Sequence, residues 1–171
     1  MVIAILFTTM LAASSHAAAN ARLAGDGVGP FMIGRSPGKI PKGSLITRQW
    51  QQDENGDTFE FIQIKRDHGV VDAEVHDGKV WRVSTDKRGL PSIDGIEVGD
   101  AAVKIVARNS HSHPDIGPGP TIVLISDQPC GLSYVTDAEP AAALNAPLTR
   151  MTVVPMLTLA KVTRIIASGC H

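Results

Sequence analysis

The sequence predicts an α+β fold, mostly β, with an antiparallel sheet of about seven strands and one or two short helices. Two hairpin signatures lead to that class. The first is Asp53-Glu54-Asn55-Gly56-Asp57, which separates two extended segments within residues 44–64; the second is His76-Asp77-Gly78, between Val70–Val75 and Lys79–Thr85. Asn-Gly and Asp-Gly supply the positive φ angles that tight hairpin turns need. The third observation is that a helical apolar period shows clearly in one short stretch only, near residue 103.

Taken in order, Asn20–Pro30 contains Gly25, Gly27 and Gly29 and reads as an irregular lead-in. The Gly-x-Gly-x-Gly spacing is not a phosphate loop, because no strand precedes it and Pro30 follows where a helix would have to offer free amides. The segment Thr58–Ile64 is rich in aromatic and β-branched residues, as strands are. With its hairpin partner and the second hairpin it makes an expected four-stranded meander. Punctuated chain follows over Gly89–Gly99. Asp100 then suits a helix N-cap, and Val103, Val106 and Ala107 fall on one buried face of a helix over Asp100–Asn109. His111–Pro120 holds three prolines and two glycines, and is expected to be an exposed loop. Thr121–Ile125, Cys130–Thr136 and Lys161–Ala167 complete the strands. The Ala- and Pro-rich stretch from Asp137 to Pro155 reads as a long connection.

One internal similarity stands out. Phe31-Met32-Ile33-Gly34 with Lys39-Ile40 reappears 65 residues later as Ile96-Glu97-Val98-Gly99 with Lys104-Ile105. A duplicated unit and chance both produce so short a match. Pro37, Gly38 and Pro41 argue against a helix in the first copy.

The 171 residues are 43% hydrophobic and 19% charged, with a net charge of −1, which is the composition of a globular protein. So even a charge balance offers no basic face for nucleic acid and no cationic surface for lipid head groups. Val2–Ala13 is an uncharged apolar run of the length of a signal-peptide core and too short for a bilayer. Small residues follow at Ala17 and Ala19, so residues 1–19 are expected to be a cleaved leader and residues 20–171 one exported domain, periplasmic or secreted. The run lacks the usual preceding Lys or Arg. With no cysteine near the cut, no lipid anchor and no stable membrane attachment are expected.

Cys130 and Cys170 are the two cysteines. In an oxidising compartment such a pair forms a disulfide, and its separation matches no zinc or redox spacing. His111-Ser112-His113-Pro114-Asp115 is the one candidate metal site, since alternate residues of an extended chain point the same way. His111, His113 and Asp115 would suit zinc or copper; a solvated polar loop is the plainer reading. No catalytic residue and no resident cofactor is expected. There is no nucleophile elbow or His-Glu-x-x-His, and Asp53/Asp57 and Asp94/Asp100 flank turns, where carboxylates cap. Trp50, Phe61 and Trp81 could line a ligand groove, but core packing is the expected role of large aromatics in a small domain.

Several of these segments together resemble a known family. Gly27-Val28-Gly29, Thr58-Phe59-Glu60-Phe61, Gly78-Lys79-Val80-Trp81-Arg82-Val83, Asp94-Gly95-Ile96-Glu97-Val98-Gly99-Asp100, Cys130, Ser133-Tyr134-Val135 and Lys161-Val162-Thr163-Arg164-Ile165-Ile166 resemble small bacterial lipoproteins controlled by the envelope-stress sigma factor RpoE. That resemblance implies an envelope location and a mixed antiparallel domain of unassigned function, and transfers no catalytic residue. The expected function is therefore a non-enzymatic, stress-associated protein that binds an envelope protein or a small ligand. A metal-dependent or other hydrolase of an envelope substrate is the alternative.

Overall fold

The computed structural model describes residues 21–66, 69–110, 112–116, 121–126, 131–139 and 150–169. The expected leader, both cysteines and His111 lie outside these residues. The chain forms β1 (Gly27–Val28), β2 (Phe31–Met32), β3 (Leu45–Gln52), β4 (Thr58–Arg66), β5 (Gly69–His76), β6 (Lys79–Thr85) and helix α1 (Val103–Arg108). β7 (His113–Ile116), β8 (Ile122–Ser126), β9 (Leu132–Thr136), helix α2 (Arg150–Leu157) and β10 (Val162–Ala167) follow. β1 and β2 make a small hairpin. The other eight strands form one antiparallel sheet in the order β3-β4-β5-β6-β10-β9-β8-β7.

The sheet is thus larger than the seven strands expected. Its eighth strand, β7, and the separate β1–β2 hairpin both arise in places that looked irregular. The lead-in holds β1, and Leu23 is fully buried beside it, its N–H donating to Pro91 O at 2.9 Å. His113–Ile116 is a strand despite Pro114, because β7 is the outermost strand and an edge position tolerates a residue without an N–H. α2 also ends what read as an unbroken connection. At the first hairpin turn only Gly56, not Asn55, has the positive φ expected of the pair, while the second turn agrees in full. Asp77 and Gly78 both have positive φ, 50° and 73°, as a two-residue hairpin turn requires.

The helix prediction holds with two corrections. Asp100 is not the N-cap of α1. That position falls to Ala102, while the Asp100 carboxylate accepts the Glu97 N–H at 3.1 Å and meets Lys104 Nζ at 3.2 Å. Ala107 is exposed; Ala102, Ile105 and Val106 are the buried positions.

The described loops and helices pack on one face of the sheet. Along β4, β5, β6, β10, β9 and β8 alternate residues such as Ile62, Ala73, Val83, Ile165, Tyr134 and Leu124 are buried. They pack with Leu23, Phe31, Ile96, Ile105 and Leu157 from the loops and helices. The other set of alternating residues forms a face on which no described helix lies.

The 65-residue similarity now has a structural counterpart. Gly34 N–H donates to Val80 O at 2.8 Å and Val80 N–H to Arg35 O at 2.8 Å; Gly99 N–H donates to Val162 O at 2.7 Å and Val162 N–H to Asp100 O at 2.9 Å. Both glycines have positive φ. Val80 and Val162 each open the last strand of a four-stranded meander, and each strand carries a one-residue bulge next to that valine, at Trp81 and at Thr163. β6 and β10 then pair so that Val83, Ser84 and Thr85 meet Ala167, Ile166 and Ile165. Val83 and Ile165 hold the same place after their valines, so the two halves meet about a local two-fold axis between Ser84 and Ile166. As Pro37, Gly38 and Pro41 foretell, only the second copy has the helix.

Candidate functional site

On the other face, the register of β3 to β6 aligns Gln49, Phe61, Glu74 and Arg82 in one row, and Thr47, Gln63, Asp72 and Ser84 in the next. The second row continues across the local two-fold axis through Ile166, Ser133 and Ile125 to His113. Its centre is polar and tightly held. Asp72 is buried, takes a 2.9 Å hydrogen bond from Gln63 Nε2, and has its carboxyl pushed above the usual range by burial, with Asp86 adding to the rise.

Beyond Phe61 the face ends in an aromatic cluster. Phe59 and His76 stack with ring centroids 4.9 Å apart and planes 12° from parallel, and Trp81 lies 5.9 Å from His76 at 55°. The bulge in β6 makes Trp81 the extra residue between Val80 and Arg82, and it is 52% exposed. The three rings edge a cleft of about 360 Å³, completed by Glu74, Arg82, Gln52 at the end of β3 and the turn residues Asp53, Glu54 and Asn55. Arg82 reaches Glu74 at 3.3 Å. The turn is fixed by Asp53 Oδ1, which accepts the N–H groups of Asn55 and Asp57, each at 2.9 Å. Amide and guanidinium donors, carboxylate acceptors and aromatic rings therefore line one cleft. That mixture suits a neutral ligand with hydroxyls and apolar C–H faces better than a simple ion.

The sequence-derived sites fare unevenly. His113 and Asp115 occupy alternate, exposed positions of β7 and share a face, as an extended chain requires; His111 is outside the described residues. Among the described residues no group of three metal-ligating side chains converges. Core packing does not hold for the tryptophans: Trp50 is 73% exposed, and the large buried aromatics are Phe31 and Tyr134. Trp50 is also on the opposite face from Phe61, because its partner Glu60 and Phe61 are consecutive in β4. Phe59 and His76 were missed. Their signal was available, since counting back from each hairpin turn sets both on the face of Phe61.

Asp94 and Asp100 hold the loop before α1. Tyr134 Oη donates to Asp94 Oδ2 at 2.7 Å and lies 3.0 Å from Ser92 Oγ, which accepts the Ile96 N–H. Burial, with the Asp94 charge, holds the phenol far above its ordinary pKa, so it stays a neutral donor. The Ser-Tyr-Asp group is a buried brace.

No family model matches the chain. No curated protein matches it either. Among solved structures it is similar to the uncharacterized protein YfeY from Escherichia coli. The identity is 15%, with 86% of this chain and 99% of the other covered and a TM-score of 0.61. At that identity the likeness concerns the fold. Among the described residues no helix is long and apolar enough to cross a membrane.

Proposed function

We propose that this protein is an exported, non-enzymatic binding module that holds a polyhydroxylated envelope ligand, a saccharide, in the cleft of Phe59, His76 and Trp81. The carrying observation is the half-exposed Trp81 braced by the His76–Phe59 stack, with hydrogen-bond donors and acceptors lining the same cleft. A rigid ring presented to solvent stacks on a sugar's C–H face at little entropic cost, and the planar polar groups pair its hydroxyls.

The exported compartment is part of the same reading. It is supported by the leader pattern and by the surroundings of the cysteines. Ser168 N–H donates to Gly131 O at 2.8 Å, and the Gly131 and Gly169 backbones are so close that a Cβ on Gly131 would overlap the Gly169 peptide. The chain neighbours of Cys130 and Cys170 are thus in contact, which favours a bond between the two. Membership in the RpoE-controlled lipoprotein family belongs to the proposal too, supported by the motif resemblance and by a fold shared with a bacterial protein.

Titration with N-acetylglucosamine oligomers and soluble disaccharide-peptide fragments of peptidoglycan, followed by isothermal titration calorimetry, tests the ligand class. Binding is expected to persist in Trp50→Phe and to weaken at least about tenfold in Trp81→Ala, the loss of one stacking anchor. Equal affinity in Trp81→Ala, or no response to either probe, would overturn the reading.

A further inference from the structure

The two edges of the large sheet are unlike. β7 is four residues long and carries Pro114, both devices that discourage pairing with another strand. β3 has eight residues, no proline and a single charge, Arg48, which Glu60 neutralises at 2.6 Å. All eight β3 residues are exposed, including Leu45 at 70%, Ile46 at 47% and Trp50 at 73%.

The hairpin fixes which backbone groups of β3 point outward. Asp53 N–H donates to Asp57 O at 3.0 Å, so Asp53 and Asp57 are a hydrogen-bonded pair. Bonded pairs alternate along an antiparallel ladder, which makes Gln51, Gln49, Thr47 and Leu45 the residues bonded to β4. The N–H and C=O groups of Ile46, Arg48, Trp50 and Gln52 therefore face away from the sheet.

We infer that β3 is the interface of a two-fold homodimer in which it pairs antiparallel with β3 of a second copy. A two-fold pairing has to set residues of the same face opposite each other, and the strand's own sequence selects the register. An axis at Arg48 would set two guanidinium groups opposite one another, which is unfavourable. An axis at Gln49 sets Arg48 opposite Trp50 of the second copy, twice, with Ile46 diagonal to the same indole. Cation–π and apolar contact then replace like-charge repulsion. The outward groups of Arg48 and Trp50 meet as bonded pairs, and the two eight-stranded sheets become continuous. The aromatic wall of the saccharide cleft, Phe59, His76 and Trp81, belongs to β4, β5 and β6, and of its lining only Gln52 belongs to β3.

Sedimentation of the mature protein from about 1 μM to 0.1 mM tests the pairing, and the dimer is expected within this range. Arg48→Pro removes an outward N–H and leaves the β3–β4 ladder intact, so it should weaken the dimer at least about tenfold without lowering the unfolding temperature appreciably. Trp50→Lys is the second variant, should the proline disturb the hairpin; it should weaken the dimer to a similar extent. Across the axis, Gln49→Cys should form a disulfide-linked dimer on mild oxidation, whereas Thr47→Cys, facing residue 51, should not. A monomer throughout the range, a dimer unaffected by Arg48→Pro and Trp50→Lys, or cross-linking at 47 but not at 49 would each overturn the proposal.

Discussion

Asp72 and Asp100 have opposite electrostatic positions, and this makes them the most direct test of the described side-chain network. Burial raises the Asp72 carboxyl, so the unfolded chain gives up that proton first as pH rises above its ordinary value of 3.8. The fold therefore loses stability from Asp72 between 3.8 and the raised folded value, and the deficit stays constant above it. Asp72→Asn, which can keep a hydrogen bond to Gln63, is expected to raise the unfolding temperature at neutral pH, with no gain below the carboxylate range. For Asp100 burial also pushes upward, but the Glu97 N–H, Lys104 and Arg88 outweigh it and hold the carboxyl below 3.8. Its contribution is complete above 3.8 and is lost as pH falls through the lower folded value, so Asp100→Asn should lower stability at neutral pH. Thermal melts of both variants from pH 2 to 8 check the two signs. Tyr134→Phe belongs at the same scale. It removes the donor to Asp94 in a buried setting and is expected to cost about 1–3 kcal/mol by denaturant titration.

At the scale of the element, strands that end in Gly-containing turns were legible and strands at the margins were not. β3 to β6 follow from Asn55-Gly56 and Asp77-Gly78, although only Gly56 of the first pair has the positive φ that both residues of the second adopt. β7 was hidden because a proline excludes a strand only where its N–H is needed, and edge position is a tertiary fact. Asp100 misled for a related reason. A carboxylate before a helix caps it only if the chain turns there, and here a tight turn bonds Asp100 back to Glu97. Little of the cleft was legible: of its rings Trp81 alone was singled out, with core packing expected for it, because the bulge that turns it outward depends on pairing between strands. The contact of Gly131 with Gly169 also carries a prediction. A Cys130–Cys170 bond would close a long loop, and its removal in Cys130→Ser/Cys170→Ser should cost about 2–4 kcal/mol. Thiol titration of the unfolded, unreduced protein should find no free thiol, and two free thiols would exclude the bond.

At the scale of the molecule, the repeated bonds at Val80 and Val162 and the matching bulges make the sheet two meanders joined at one seam. The seam could be a weak boundary between two units or the middle of one core, and the buried residues decide between them. Val83 and Thr85 from one half and Ile165 and Ala167 from the other lie side by side on the covered face, all within the 8% exposure that also describes Ser84 on the seam's other side. The loops cross it as well. Leu23, from the first half, gives its N–H to Pro91 O, and the Ile93 N–H returns a bond to Leu23 O at 2.9 Å. Separating the halves would expose several apolar side chains, each contributing about 1.5–3 kcal/mol when buried, against a total stability of about 5–15 kcal/mol. Neither half should then persist alone. Calorimetric unfolding of the mature protein is expected to show one transition whose calorimetric and van't Hoff enthalpies agree, and Ile165→Ala should lower it as a whole by about 2–5 kcal/mol. Two resolved transitions, with only the later half shifted by Ile165→Ala, would mean that the meanders fold independently and that the local two-fold axis marks a contact between units.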